Sequence, residues 1–191
     1  MRAVKIIWIN GAFGSGKTQT AEELYQRIPN SFIYDPENVG YFLFKNLPQG
    51  RNIGDFQDQE NWRHFNHHML KQIADTYDGV VIVPMTVTNP VYLEEITKNL
   101  NVNYFILSAS KETIKKRLRK RFNVSEWVVA QIDRCITAFA SGKIPGIIID
   151  TENIPIKKVA EIIAQECQLE VLDIKRGFFR RLFDQMKYIR R

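Results

Sequence analysis

The sequence predicts a three-layer α/β fold, a parallel sheet of about five strands with helices on both faces. Short apolar, β-branched runs recur at residues 3–9, 31–34, 79–83, 102–108 and 146–150, with helical patterns between them. That alternation marks strands buried on both faces and joined by crossover helices. Directly after the first run stands Gly11-Ala12-Phe13-Gly14-Ser15-Gly16-Lys17-Thr18, a complete G-x-x-x-x-G-K-[ST] loop. Such a loop joins a strand to a helix in this fold class. A length of 191 residues suits one domain with a sizeable core.

Each element has a local reason. Ala3 to Ile9 reads as a buried strand, and Gln19 to Arg27 as the helix that follows the loop. Asp35-Pro36, after the second run, pairs a capping residue with proline at the first helical position. Pro48 to Gly54 is polar and contains glycine, and reads as a loop. Asp55 to Tyr77 reads as one helix with its entry. Ser110 and Ser125 stand where N-caps belong, and Asn153 to Pro155 can open a helix carrying Val159, Ile162 and Ile163. There is no repeat, low-complexity stretch or linker. The expected organisation is a domain over 1–174, with a lid at about 117–142, and a separate helix over 175–191.

The bulk numbers exclude several classes. The net charge of +6 is unevenly placed. Lys175 to Arg191 holds seven basic residues and one acid, and Lys111 to Arg121 holds seven and one, so the remainder is net acidic. A nucleic-acid binder spreads positive charge over a face with interleaved aromatics, so no nucleic-acid partner is expected. The N-terminal apolar run is too short for a secretory signal, and no stretch has the length of a spanning helix. Cys135 and Cys167 lack metal-like or redox-like spacing and read as reduced thiols of a cytoplasmic protein.

The loop carries the chemistry. Its glycines let successive N–H groups turn toward phosphates, from Gly11, Ala12, Phe13, Gly14, Ser15 and Gly16 onward. Lys17 supplies charge to the β- and γ-phosphates, the Thr18 hydroxyl suits Mg²⁺, and the new helix adds its positive end. The expected ligands are therefore a nucleoside triphosphate and Mg²⁺. The apolar run 80–83 ends in Pro84-Met85-Thr86, without the aspartate that usually helps to hold the metal. Asp35, at the end of the second strand, is then the best functional carboxylate, as a base toward a substrate hydroxyl or a holder of Mg²⁺-bound water. Asp150 follows another apolar run and reads as a loop cap. His64, His67 and His68 share a predicted helix, where a surface or substrate-side face is a better reading than a metal site.

The segment from Tyr104 to Arg121 resembles the fourth strand and lid entry of nucleoside-monophosphate kinases and related small-molecule kinases. Its helix ends in R-x-x-x-R, here Arg117 and Arg121. The resemblance implies that Arg117 lies against the base or phosphates and that Arg121 reaches the transferring group, where guanidinium charge is useful. Arg119 and most of the lysines read as a solvated face. Arg134 would return to the site from the far side of the lid. Ile147 to Pro155 resembles the fifth strand and adenine loop of these kinases, which implies a nucleotide contact at Asn153. Trp62 and Arg63 fall where such kinases place acceptor-binding helices.

Across the chain, several segments together resemble the TmrB-type tunicamycin-resistance proteins: Trp8 to Thr20, Tyr34 to Glu37, Asp55 to Gln57 with Trp62-Arg63, Ile82 to Thr86, Ser110 to Thr113 with Lys116 to Arg119, and Gln131 to Cys135. The resemblance implies an ATP-binding protein that counters tunicamycin by binding it or modifying it. A cytosolic nucleotide or small-molecule kinase, and a non-catalytic ATP-gated sequestration module, are the alternatives.

In the tail, Phe178, Phe179, Leu182, Phe183, Met186 and Ile189 share an arc of about 140° on a helical wheel, opposite mostly basic residues. A basic, Phe-rich amphipathic helix suits the anionic inner face of a membrane. The alternative is a helix docked on the domain or on a second subunit.

Overall fold

The computed structural model describes residues 6–48, 54–120 and 126–173. Five strands, β1 (Ile6–Gly11), β2 (Ser31–Ile33), β3 (Val80–Pro84), β4 (Val102–Ser108) and β5 (Ile147–Asp150), form one sheet in the order β2-β3-β1-β4-β5. Every pairing is parallel. Seven helices accompany them among the described residues: α1 (Lys17–Arg27), α2 (Glu37–Asn46), α3 (Glu60–Thr76), α4 (Pro90–Thr97), α5 (Lys111–Arg119), α6 (Glu126–Ala140) and α7 (Ile156–Glu166). The predicted fold class, strand count and helix coverage hold.

Successive strand residues point to opposite faces, so the sheet divides its side chains between two cores. Ile7, Ile9, Ile82, Phe105 and Leu107 pack with Ala21 and Leu24 of α1 and Val159, Ala160 and Ile163 of α7. Ile6, Trp8, Val81, Val83 and Ile106 pack with side chains of α2 through α6, among them Val39, Leu70, Leu93, Leu118 and Cys135. β1 is buried along its whole length because it has strands on either side and helices on both faces. The outer strands are less covered: Phe32 on β2 and Ile148 on β5 are exposed. Both cysteines are free and buried.

The local signals act where expected, with small offsets. Asp35 Oδ1 accepts a bond from the Glu37 amide at 3.0 Å, while Pro36 takes helical angles ahead of α2. The stretch from Asp55 opens as one 3₁₀ turn over Phe56–Asp58, capped by the Asp55 side chain, before α3 begins. Ser110 caps α5 through the Thr113 amide at 3.2 Å. Pro155 precedes α7. Ser125, Arg121, part of the 48–54 loop and the 175–191 helix lie outside the described residues.

In this order β1 stands between β3 and β4, reached by connections that leave in opposite directions. Ligands of open parallel sheets bind outside the carboxyl ends of the strands at such a point. The glycine-rich loop lies there, between β1 and α1.

Candidate functional site

The loop is built by close approach of backbone to its neighbours. Gly11 has φ 140°, and a Cβ there would stand 2.6 Å from the Leu107 carbonyl of β4. Gly16, at φ 105°, is the left-handed residue that starts α1. Two long-range contacts clamp the end of β1. Asn10 accepts from the amides of Gly11 and Val87 at 3.0 Å each and donates to the Val87 carbonyl at 2.9 Å. Thr86 donates its hydroxyl to the Gly11 carbonyl at 2.9 Å. Thr86 thus stands after β3, near where a metal-holding aspartate was sought, and supports the loop backbone.

The cradle fits a polyphosphate. No side chain caps α1 and no acid stands in its first turn, so its N-terminal amides keep their positive end for an anion. Lys17 Nζ bonds the Gly11 and Ala12 carbonyls at 3.0 and 3.1 Å, over the loop. Thr18 is exposed on the first turn, where a hydroxyl can reach a metal held by phosphate oxygens. The Ser15 hydroxyl is buried in the loop with no partner among the described residues.

Arg117 borders the loop on the β5 side. Its guanidinium donates to the Thr151 hydroxyl at 3.0 Å and the Thr151 carbonyl at 2.6 Å, and meets the Ser15 carbonyl at 3.4 Å. Exposed Asn153 follows two residues later, in the same loop. Asp150 caps that loop by accepting from the Glu152 amide at 2.8 Å. Arg119 is exposed, as a solvated face requires.

On the other side stands a carboxylate pair. Asp35 was expected here; Glu37 is the residue that sequence reasoning missed. Burial pushes the Glu37 carboxyl above the ordinary range, and Asp35 pushes it the same way, while Lys17 and the Tyr41 hydroxyl oppose them. The only signal was a second acid two residues after Asp35.

Helix α6 lies over the loop. The Trp127 ring meets Phe13 edge-on with centroids 5.7 Å apart, and Lys17 Nζ sits 5.5 Å from the Phe13 centroid. Asp133 pairs with Lys111 at 2.7 Å. Arg134, on α6, pairs with Asp55 at 3.2 Å, at the entry to α3.

Two expectations need correction. Trp62 has no exposed surface and donates its indole N–H to the Pro36 carbonyl at 3.1 Å. It packs against Phe56 in the core, so it cannot stack on a ligand. Arg63 is also buried. It bonds Glu95 at 2.5 Å and the Gln57 carbonyl at 2.8 Å, and stacks 4.2 Å from the Tyr92 centroid. These contacts tie α3 to α4 and occupy the guanidinium within the fold. Trp62→Ala should cost about 3–5 kcal/mol of folding stability, the range for large buried aromatics. Urea unfolding reads this directly; a loss under about 1 kcal/mol would be too small for a fully packed side chain. Among the described residues no group of three or more potential metal ligands occurs, and His64 only approaches Glu60 on an exposed helix face.

The fold and its loop define a kinase-like P-loop protein. No protein-family model and no curated protein sequence matches the chain. Among solved structures, the chain is similar to the tunicamycin resistance protein of Deinococcus radiodurans, at 29% identity and a TM-score of 0.75, over 89% of this chain and 99% of that one. The resemblance carried by the sequence is therefore matched in three dimensions. A sugar kinase from a Janibacter species (16% identity, TM-score 0.67, 87% and 95% covered) has the same fold. So has the APS kinase of Mycobacterium tuberculosis, solved with AMPPNP and APS (15%, 0.60, 88% and 99%).

Proposed function

We propose that this protein binds Mg-ATP at the 11–18 loop and counters tunicamycin by ATP-dependent binding of the drug at the membrane, with phosphoryl transfer to it as the reaction the site can perform. One observation carries the reading: a phosphate loop lies between an arginine-held loop and a carboxylate pair, in a chain similar along its length to a tunicamycin resistance protein.

Mg-ATP, when bound, supplies the phosphoryl group and the metal's charge. The loop amides and Lys17 hold the phosphates, and Thr18 holds the metal. Arg117 fixes the Thr151–Asn153 segment beside the loop, in position to meet a base, and Arg121 adds a second guanidinium as the resemblance implies. Asp35 orients an acceptor hydroxyl and accepts its proton at the carboxylate. Glu37, whose carboxyl burial and Asp35 push above the ordinary range, adds a second hydrogen-bonding group there. Arg134 closes α6 on the acceptor side through Asp55.

The end of β3 favours a second reading, sequestration without turnover. It offers Thr86 to the loop backbone in place of a metal-binding carboxylate. Incubation of protein with Mg-ATP and tunicamycin, followed by mass spectrometry, separates the two. Phosphorylated drug supports transfer; unmodified drug retained by the protein only with ATP supports sequestration. Drug that is neither modified nor retained contradicts both.

The tail's place in this reading is attachment to the inner leaflet. Each basic residue near an anionic surface contributes about 1 kcal/mol, and partial burial of its Phe, Leu, Ile and Met side chains adds to this at ~25 cal/mol per Å². The expected result is reversible, salt-sensitive co-sedimentation with anionic vesicles that is lost on truncation before Gly177. Vesicle binding that survives truncation, or none in the full chain at low salt, removes the membrane from the account. Among the described residues, no helix is long and apolar enough to cross a membrane.

A further inference from the structure

The loop after β5 is fastened to α5 at two points. Arg117, near the helix end, holds Thr151 through its carbonyl and hydroxyl. At the other end Glu152 reaches the helix start. One carboxylate oxygen accepts the Ser110 amide at 2.8 Å; the other accepts the Ser110 hydroxyl at 3.0 Å and the Thr113 hydroxyl. Ser110 Oγ already accepts the Thr113 amide, so its proton is free to turn toward Glu152. Ser110, Thr113 and Arg117 are spaced three and four apart and so share one helix face. A single stripe of α5 therefore carries the whole fastening.

We propose that Glu152 is a positioning residue for the nucleoside half of the bound nucleotide. Its side chain hydrogen-bonds Ser110 and Thr113, at the start of α5. It holds Thr151–Asn153 against α5, while Arg117 ties the same helix to the Ser15 carbonyl of the phosphate loop. Together they set the gap between the loop that takes the phosphates and the segment that meets the base. Glu152 suits this task as an acceptor-only group facing three donors beside the positive end of a helix. Those hydrogen bonds hold its carboxyl below the ordinary range, so it stays charged at neutral pH. The inference rests on the nucleotide reading above.

The test compares ATP with inorganic tripolyphosphate, which can use the phosphate loop but has no base. Both are titrated with Mg²⁺ into the full-length protein and its E152A and E152Q variants. Glu152 is partly exposed at a loop, so neither change opens a core cavity. E152A should bind ATP about tenfold more weakly, as expected when several charged hydrogen bonds that order a loop are lost. Its tripolyphosphate affinity should stay within about twofold of the parent's. E152Q keeps one acceptor oxygen, and the hydroxyls can turn to accept from its amide, so it should recover part of the ATP affinity. Unchanged ATP affinity in E152A overturns the proposal alone. An equal loss for both ligands overturns it too, because it would mean general damage to the loop. A parent protein that binds neither ligand defeats the nucleotide reading itself.

Discussion

Lys17→Ala is expected to weaken Mg-ATP binding about a hundredfold or more. The ammonium is placed over the phosphate loop, where it bonds the Gly11 and Ala12 carbonyls. Truncating one partner of a close charge pair costs about 3 kcal/mol, and each 1.4 kcal/mol is a factor of ten. The fold should survive. Lys17 is only partly buried, and the loop keeps its clamps from Asn10 and Thr86. Calorimetric titration with Mg-ATP measures the effect, and the melting temperature checks the fold. Cells expressing the variant should contain folded protein yet lose protection against tunicamycin. Retained affinity and protection would mean that the loop is not the nucleotide site.

Asp35→Asn is expected to separate binding from reaction. Asparagine caps about as well as aspartate, so the bond from the Glu37 amide is kept. What disappears is the carboxylate proposed to accept the acceptor's proton. Loss of a positioned general base lowers turnover by roughly 10²–10⁴-fold. ATP affinity should change little, because Asp35 lies at the end of β2 and is not part of the 11–18 loop. A second consequence follows from sign. Asp35 helps to raise the Glu37 carboxyl, so removing its charge should let Glu37 ionise at lower pH. Carboxyl titration by NMR in the two proteins would register that shift. Full transfer activity in the variant would reduce Asp35 to its capping role.

Much of this site was legible because its signals are contiguous. The loop and its flanking strand and helix are read from one continuous segment, and the Asp35 and Ser110 caps act within three residues of themselves. Strand β4 was delimited in full, and β2 and β5 to within a residue, because apolar runs of that length fit a sheet buried on both sides. The failures share a different cause. Trp62 and Arg63 combine aromatic and cationic character, which suits a ligand site or a packed helix equally. Pro36, Gln57 and Glu95, brought by the fold, decide for packing. Asn10, Thr86 and Glu152 were given no role because their long-range partners lie 39 to 77 residues away, so their roles exist only once the sheet has formed. Glu37 stood beside a residue already singled out, but its altered carboxyl depends on burial that sequence spacing does not reveal.

The coupling of drug binding to ATP is the center of the account, and one titration addresses it. Tunicamycin affinity is measured for the full-length protein without nucleotide, with Mg²⁺ and a non-hydrolysable ATP analogue, and with the same analogue in the Lys17→Ala variant. The account predicts tighter drug binding when the analogue fills the loop, and no such gain in the variant. Drug affinity that is the same with and without the analogue, or a gain that persists in Lys17→Ala, would contradict it.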